Sequence, residues 1–281
     1  MESLLEEPTA RPSDAFPSLT VPPVSIQAEP SRGHPQTAFE IQEASEAHVT
    51  AEDASIVYPT GKKLWLTLAS LLLTCIIYGL DLPIVAAAIP AITDHFGSIK
   101  DIGWYSAAYS LVGSALTFFW SRSYTIFAVK HVYMASIVCF EIGALVATIA
   151  PTSEVFILGR AISGCGGCGM GSGLFIVATH LFPLHKRPMW MGMTMMVQIG
   201  TMAAAPLVGG ALIDAFNWRA CFGLNLPLGV LALVLVWFGF SSPVTNPDES
   251  LPLKQKLMKL DPVGTLVFIP SIVCLLLALQ W

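Results

Sequence analysis

The sequence predicts an all-α membrane protein, and two observations carry that prediction. Long apolar stretches follow one another from about residue 64 to residue 281, with only short polar loops between them. Hydrophobic residues make up 54% of the chain and charged residues only 12%, whereas an ordinary soluble domain carries about 25% charged residues. Since roughly twenty apolar residues cross a hydrocarbon core about 30 Å thick, each stretch is long enough to span a bilayer.

Seven transmembrane spans are predicted in this way, and they divide the chain into segments. Residues 61–240 are expected to form a six-helix bundle, and residues 262–281 a seventh span that is truncated at its end. Residues 241–261 form a predicted cytoplasmic linker, for which a short surface helix and a plain polar connection are alternatives. The spans are 64–90, 103–125, 132–150, 156–182, 189–213, 219–240 and 262–281.

Residues 1–60 are predicted to be a disordered acidic tail. They contain ten acidic residues against two arginines, and their few apolar residues show no sustained periodicity. Such a segment buries too little surface to offset the entropy of ordering it. It also lacks the basic start and apolar run of a secretory signal, so we expect the first span to act as the signal anchor. A solvated tether and a regulatory or targeting tail are the alternatives for its role.

The distribution of lysine and arginine predicts a cytoplasmic N-terminus, because positive residues that flank spans tend to stay in the cytoplasm. With that orientation only Lys100 and Arg219 lie outside. Nine positive residues lie inside: Lys62, Lys63, Arg122, Lys130, Lys186, Arg187, Lys254, Lys256 and Lys259.

Two motifs of soluble proteins occur in the run Gly164–Gly169, which matches both G-x-G-x-x-G and C-x-x-C. A dinucleotide site needs a preceding strand and a following acid, and here the run lies inside a predicted span. A single C-x-x-C has no second ligand pair, and all six cysteines fall inside spans, where we interpret them as apolar packing residues. We therefore expect no cofactor, metal or nucleic-acid partner, and no enzymatic activity.

Small residues recur every four positions in the fourth predicted span, at Gly159, Ser163, Gly167 and Gly171. Such a ridge lets two membrane helices approach backbone to backbone. Pure packing is one interpretation, and a smooth face on which helices slide during transport is the other.

Three ionisable residues inside spans are candidate functional residues, because such groups are costly in hydrocarbon and usually face a cavity or a partner. Asp81 lies in the first span between Leu80 and Leu82, near Pro83, and is interpreted either as an interfacial acid or as a proton-binding carboxylate. Arg160 lies near the outer end of the fourth span. It is interpreted either as facing a water-filled cavity or as extending its side chain from the span end to the membrane surface. Glu141 is interpreted as the partner of Arg160 or as a headgroup contact.

The end of the fifth span predicts a bend. Pro206 is flanked by alanines and by Gly209 and Gly210, and a proline inside a helix removes one backbone hydrogen bond. A kinked helix rich in small residues suits alternating access, in which two bundles rock about a central site.

Four stretches together resemble the major facilitator superfamily, in particular its fungal fourteen-helix drug:proton antiporter branch. Leu80–Pro90 resembles the first-helix LDxTIV…ALP motif, and Arg160 with Gly164 the fourth-helix RxxxG motif. Ala205–Gly210 resembles the fifth-helix GPxxGG motif, with alanine in place of the first glycine, and Trp218–Gly229 the WRWCFxINLPIG stretch. Pro83 stands where the first motif has threonine.

This resemblance implies proton-coupled export of small amphipathic compounds such as toxins, drugs or secondary metabolites. Arg160, Asp81 and Glu141 are the implied proton-coupling residues. The residues for packing and bending are Gly159, Gly164, Gly167, Gly171, Pro206, Gly209 and Gly210. An uptake transporter of the same fold, a seven-helix receptor and a non-transporting membrane subunit are the alternatives.

The resemblance also implies partners and a location. Seven spans are half of fourteen, so we expect a truncated chain whose C-terminal half is missing, or a half that pairs with a second subunit. The expected partners are the lipid bilayer, protons and a small-molecule substrate, and the expected location is the plasma membrane, with vacuolar and vesicle membranes as alternatives.

The predicted topology is testable by glycosylation mapping. An acceptor site inserted beside Gly97 should be glycosylated, because the first loop is expected outside, and one inserted beside Lys186 should not. The reverse pattern would support the receptor alternative.

Overall fold

The computed structural model describes residues 61–240 and isolated positions between 255 and 278. The predicted acidic tail, 1–60, lies outside the described residues, as do most of the predicted linker, 241–261, and most of the predicted seventh span, 262–281. The described positions from 264 to 278 are helical.

The described residues form helices and contain no strand, which confirms the all-α fold class. A short 3-10 turn, Leu184–Lys186, precedes the fifth helix. The helices are α1 (Lys62–Phe96), α2 (Ile102–Ile126), α3 (Val129–Ile149), α4 (Ser153–Leu181), α5 (Arg187–Ala215), α6 (Trp218–Gly223) and α7 (Asn225–Gly239).

Five candidate spans of the described chain are long and apolar enough to cross a membrane: α1, α3, α4, α5 with its preceding turn, and α6 with α7. The second predicted span forms a helix, α2, of 25 residues, but α2 is not among the five. Five serines and three tyrosines make it more polar than the others. Several of these groups, including Tyr105, Tyr109 and Ser123, are buried against neighbouring helices.

Helix α1 is longer than the sequence predicts, because the predicted end at Pro90 is wrong. The helix continues through both Pro83 and Pro90 to Phe96. A proline removes only one donor from the ladder, whereas Gly97 adopts a left-handed conformation at φ 65° and donates its N–H to the Thr93 carbonyl. That C-cap ends the helix.

The sixth predicted span is divided into α6 and α7 at Leu224. Leu224 keeps helical dihedral angles, so the two pieces run on as one candidate span of 22 residues. Pro227 has no N–H to donate to the Gly223 carbonyl, which accounts for the interruption of the hydrogen-bond ladder at this point.

Helix α4 packs against α2 and α3, and its glycines let both neighbours approach its backbone. A Cβ atom on Gly164 would overlap the backbone of Tyr109 in α2, and one on Gly166 would overlap the backbone of Phe140 in α3. Helix α3 also contributes a glycine to this contact, because a Cβ atom on Gly143 would overlap the backbone of Ser163 in α4. This packing places the polar groups of α4 inside the bundle.

The four-residue ridge of α4 does not face a single partner. Gly159 faces Ala147 of α3, Gly167 faces the Tyr109 hydroxyl of α2, and Gly171 faces Tyr78 of α1. A four-residue step exceeds one helical turn of 3.6 residues, so the ridge winds around the helix. Gly171 is the loosest of these contacts, since a Cβ atom there would lie 3.4 Å from the nearest atom.

Helix α5 is continuous through Pro206 and packs mainly on α1. Its buried residues are Ala205 and Gly209, and a Cβ atom on Gly209 would lie 3.0 Å from Ile84. Gly210 has no atom of a described residue within 4 Å of such a position, so within the described bundle Gly209 is the predicted bend glycine that serves packing. Only 11% of the apolar 18-residue stretch of this span is buried. Most of α5 therefore lies on the surface of the described bundle.

The glycine contacts predict a sharp difference between two substitutions in α4. Gly166→Ala should lower the free energy of unfolding by about 1–3 kcal/mol, because the new methyl group would overpack against α3. Gly171→Ala is the matched control and should leave the protein as stable or slightly more stable, since alanine is the better helix former. Thermal unfolding followed by circular dichroism measures both, and equal transition temperatures would contradict the packing.

Candidate functional site

A buried ion pair joins α1 and α4. Nη1 of Arg160 donates to Oδ1 and Oδ2 of Asp81 at 2.8 and 2.9 Å, and the side chains are 0% and 1% exposed. It is the only salt bridge between residues that the structure describes. The two residues that the resemblance implies for proton coupling therefore lie in direct contact.

Asp81 lies near the middle of α1, whereas Arg160 lies closer to the start of α4. Asp81 lies 19 residues after Lys62, the start of α1, and 15 residues before its end at Phe96. At 1.5 Å per residue, it is about 20 Å or more from either end. Arg160 is only seven residues, about 10 Å, from the start of α4 at Ser153. Its side chain is nevertheless 0% exposed and bonded to Asp81, so it does not snorkel to the surface.

The guanidinium of Arg160 is held by more than its carboxylate partner. Nε donates to the backbone carbonyl of Tyr105 at 3.3 Å. The plane lies over the Tyr109 ring at 4.6 Å from its centroid, and Phe222 lies 5.8 Å away. An aromatic face attracts a desolvated cation, so these rings replace part of the hydration that the arginine has lost.

One nitrogen of Arg160 has no hydrogen-bond partner among the described residues. That atom is Nη2, and the buried hydroxyl of Tyr109 is also unpartnered. Because only Nη1 contacts Asp81, the pair does not use the two-nitrogen geometry that makes arginine–carboxylate pairs strongest. The site therefore keeps donor capacity beyond the ion pair.

An aromatic cluster lies between this pair and the end of the bundle where α1 ends and α4 begins. Phe156 is at its centre, with ring centroids 5.3 Å from Tyr105, 5.1 Å from Phe222 and 5.7 Å from Trp218. These edge-to-face arrangements are favourable for aromatic rings. They cover that side of Arg160 with apolar surface.

A hydrogen-bonded tie connects the loop before α2 with the start of α4 at the same end. Ser153 donates to the Asp101 carboxylate at 2.6 Å, and Ser98 contacts the same oxygen. The hydrogen bonds from Ser153 and then Ser98 lower the pKa of Asp101. A carboxyl group whose pKa is lower in the folded than in the unfolded state stabilises the fold above the unfolded pKa, and this contribution is lost as pH falls through the folded value.

Glu141 does not pair with Arg160. It lies in the middle of α3, 9% exposed, and its carboxyl group packs against Gly229 of α7. This position inside the bundle also differs from the headgroup contact that the sequence left open.

Several residues around the pair were not predicted as functional. Tyr105 contacts Arg160 through its backbone carbonyl, and no sequence motif reveals such a contact. Tyr109 and Phe222 read as ordinary apolar positions in their spans, and only packing brings them to Arg160. No group of three or more residues suited to a metal ion occurs in the parts of the chain that the structure describes.

Comparison with known protein families adds an independent observation. A sequence model of the major facilitator superfamily matches residues 71–281 of this chain. The chain belongs to the major facilitator superfamily. Members of this superfamily carry small molecules, often together with protons, and the apolar helices identify the chain as an integral membrane protein.

Curated relatives of this superfamily member are named as efflux proteins of fungi. The chain is 42% identical over 231 residues to the aspyridones efflux protein of Neocamarosporium betae, covering 82% of this chain and 41% of that protein. It is 43% identical over 227 residues to the rubrofusarin-specific efflux pump aurT of Gibberella zeae, covering 80% and 41%. The chain thus spans about two fifths of the length of the curated relatives it matches.

A solved structure of the superfamily shows the same fold. The proton:xylose symporter XylE, bound to 6-bromo-6-deoxy-D-glucose, matches with a TM-score of 0.56 at 14% identity. The match covers 76% of this chain and 53% of that one, so the chain has the helix arrangement of about half of such a transporter.

The geometry of the pair predicts strong coupling between its two members. Asp81→Asn or Arg160→Gln alone should each lower the free energy of unfolding by about 3–5 kcal/mol, because each leaves an uncompensated buried charge. The double variant should lose much less than the sum. Asp94→Asn, which changes an exposed carboxylate on the same helix, is the control. Thermal unfolding of all four measures the coupling, and additive losses would contradict it.

Proposed function

We propose that the protein is the first bundle of a proton-coupled exporter of small amphipathic compounds, such as toxins, drugs or secondary metabolites, and that it is a transporter and not an enzyme. The buried pair of Arg160 and Asp81 is the observation that carries this proposal. Burying an ion pair costs several kcal/mol in desolvation per ion. Such intramembrane charges typically mark ion or substrate pathways. The names of the curated relatives support the direction of transport.

The pair suggests how proton binding and substrate binding exclude each other. A proton that binds Asp81 removes the negative charge opposite Arg160. A substrate that accepts from the unpartnered Nη2 of Arg160 and donates to the ionised Asp81 carboxylate is held only while Asp81 carries no proton. Protonation of Asp81 removes that acceptor and releases the substrate, and release of the proton to the other side of the membrane restores the site. Because one site serves two exclusive occupants, proton and substrate are exchanged, which is antiport.

Alternating access requires a second bundle on the other side of the substrate. We propose that the second bundle is the remaining half of a longer chain or a second subunit. Helix α5, most of whose surface is free of contacts in the described bundle, packs on α1 at Gly209. The Pro206–Gly210 segment is proposed to bend as the bundles rock, in keeping with its resemblance to the antiporter motif.

The proposed orientation places the N-terminus in the cytoplasm and the protein in the plasma membrane, with vacuolar and vesicle membranes as alternatives. Lys62 and Lys63 open α1, and Lys186 and Arg187 join α4 to α5, so both clusters lie at one end of the bundle. Arg219 lies at the other end, within 3.0 Å of the Ala150 carbonyl. The strong bias of positive charge to one end supports this orientation.

The mechanism predicts distinct effects of three substitutions on the complete two-bundle transporter. Arg160→Ala should abolish export driven by a proton gradient, measured per molecule of folded transporter at the surface. Arg160→Lys should recover little, because an ammonium group loses the Tyr105 hydrogen bond and the planar contact with Tyr109. Asp81→Asn should change the pH dependence of export and not only its rate, since it removes a titrating group of the same size. Proton-driven flux of a fluorescent amphipathic substrate in vesicles measures each effect.

The control for this test is a protonophore, which should abolish export by the unmodified transporter. Export by Arg160→Ala at the unmodified rate and pH profile, still abolished by the protonophore, would contradict the coupling role. Net accumulation of substrate in the opposite direction would favour the uptake alternative.

A further inference from the structure

Glu141 is a buried acid that the ion pair does not use. It lies twelve residues after the start of α3 at Val129 and eight before its end at Ile149, which puts it about 12 Å or more from either end. Its side chain is 9% exposed, and neither carboxyl oxygen has a hydrogen-bond partner among the described residues. An ionised carboxylate without any partner in hydrocarbon would be very costly.

No cation compensates Glu141 in the described bundle. Helix α7, which meets its carboxyl group at Gly229, contains no charged residue. Arg160 of α4 is engaged by Asp81, and Arg219 of α6 donates to the Ala150 carbonyl near the end of the bundle. The buried charged residue of α1 is Asp81, which has the same sign as Glu141 and is itself paired with Arg160. The surroundings therefore suit a neutral carboxyl group.

Helix α7 also carries a buried polar side chain, one helical turn before Gly229. Asn225 is 1% exposed, and its side-chain nitrogen has no hydrogen-bond partner among the described residues. It precedes Gly229 by four residues, so the two lie on the same face of α7. A Cβ atom at Gly229 would overlap the Glu141 carboxyl group, so the glycine provides the space for this acid. The contact between α3 and α7 thus contains an unpartnered donor, the amide of Asn225, and two unpartnered acceptors, the carboxyl oxygens of Glu141.

We propose that Glu141 is a second proton-binding site of the bundle, neutral in this conformation and separate from the pair of Arg160 and Asp81. When the site releases its proton, the O–H bond of the carboxyl group breaks, its electron pair stays on the oxygen, and a water molecule accepts the proton. The Asn225 amide then donates to the resulting carboxylate. Asn225 is the positioning residue that makes the ionised form tolerable between α3 and α7.

This second site deepens the proposed function, because two separate proton sites in one bundle allow more than one proton to be exchanged per transport cycle. The site itself rests only on burial and hydrogen bonding in α3 and α7. Its protonation is measurable in the resting protein, so it can fail or succeed independently of export.

Infrared spectroscopy of the purified protein in lipid tests the protonation directly. At neutral pH the spectrum should show the C=O stretch of a protonated carboxyl group, and isotope-labelled glutamate should shift that band. Glu141→Gln should remove the band, whereas Asp81→Asn should leave it. A spectrum without a glutamate band, or one in which Asp81→Asn removes it, would overturn the proposal. The isotope shift needs no variant, so the absence of a glutamate band would overturn the proposal even where Glu141→Gln fails to fold.

A pH series tests the role of Asn225. In Asn225→Leu, which keeps the size of the side chain and removes the amide, the band should persist to a pH higher by about one unit or more. That shift is the one expected from losing a hydrogen bond to a charged group. Asn217→Leu, which removes an amide that caps α6 at the end of the bundle, is the matched control and should not move the band. Equal midpoints in Asn225→Leu and the unmodified protein would overturn the positioning role.

Discussion

The pairing of Arg160 with Asp81 constrains the rest of the bundle, because arginine stays protonated in proteins and this one has no exposed surface. Its charge has to be compensated within reach of α4, and the compensating carboxylate comes from α1. The Tyr105 carbonyl and the Tyr109 ring supply the remaining contacts from α2. Three helices must therefore be in register at one depth before the guanidinium is satisfied. Any arrangement of the bundle that separates α1 from α4 leaves two opposite charges in hydrocarbon.

The glycines of α4 make this convergence geometrically possible. Arg160 is long, but its helix has to lie close to both α2 and α3 for the ring and carbonyl contacts to form. Gly164 and Gly166 allow that approach on two sides of the same helix turn. The aromatic cluster around Phe156 then covers the pair toward one end of the bundle. Charge compensation and close backbone packing thus depend on each other in this fold.

Much of this architecture follows from the sequence, because crossing a bilayer imposes long apolar runs that are visible in the letters. The run of helices is of this kind, and Asp81 and Arg160 are visible as charged residues within those apolar runs. The contact between those two residues is not, since they are 79 positions apart and no local pattern relates the rotation of one helix to that of another. The same limit explains why the sequence leaves the pairing of Glu141 with Arg160 open and does not show that the glycine ridge meets three helices. Helix α1 extends beyond the predicted span 64–90 because its C-cap is Gly97, whose positive φ angle no periodicity reveals.

The seven glycines of α4 have a consequence for how the protein is made. A glycine presents little apolar surface to lipid, and α4 is the least hydropathic of the five candidate spans. During synthesis this segment has the weakest tendency of the five to leave the translocation channel by itself. Most of its stabilisation comes from docking against α2 and α3, which emerge from the ribosome before it. Substitutions on the facing surfaces of those two helices should therefore impair biogenesis before they impair any transport step.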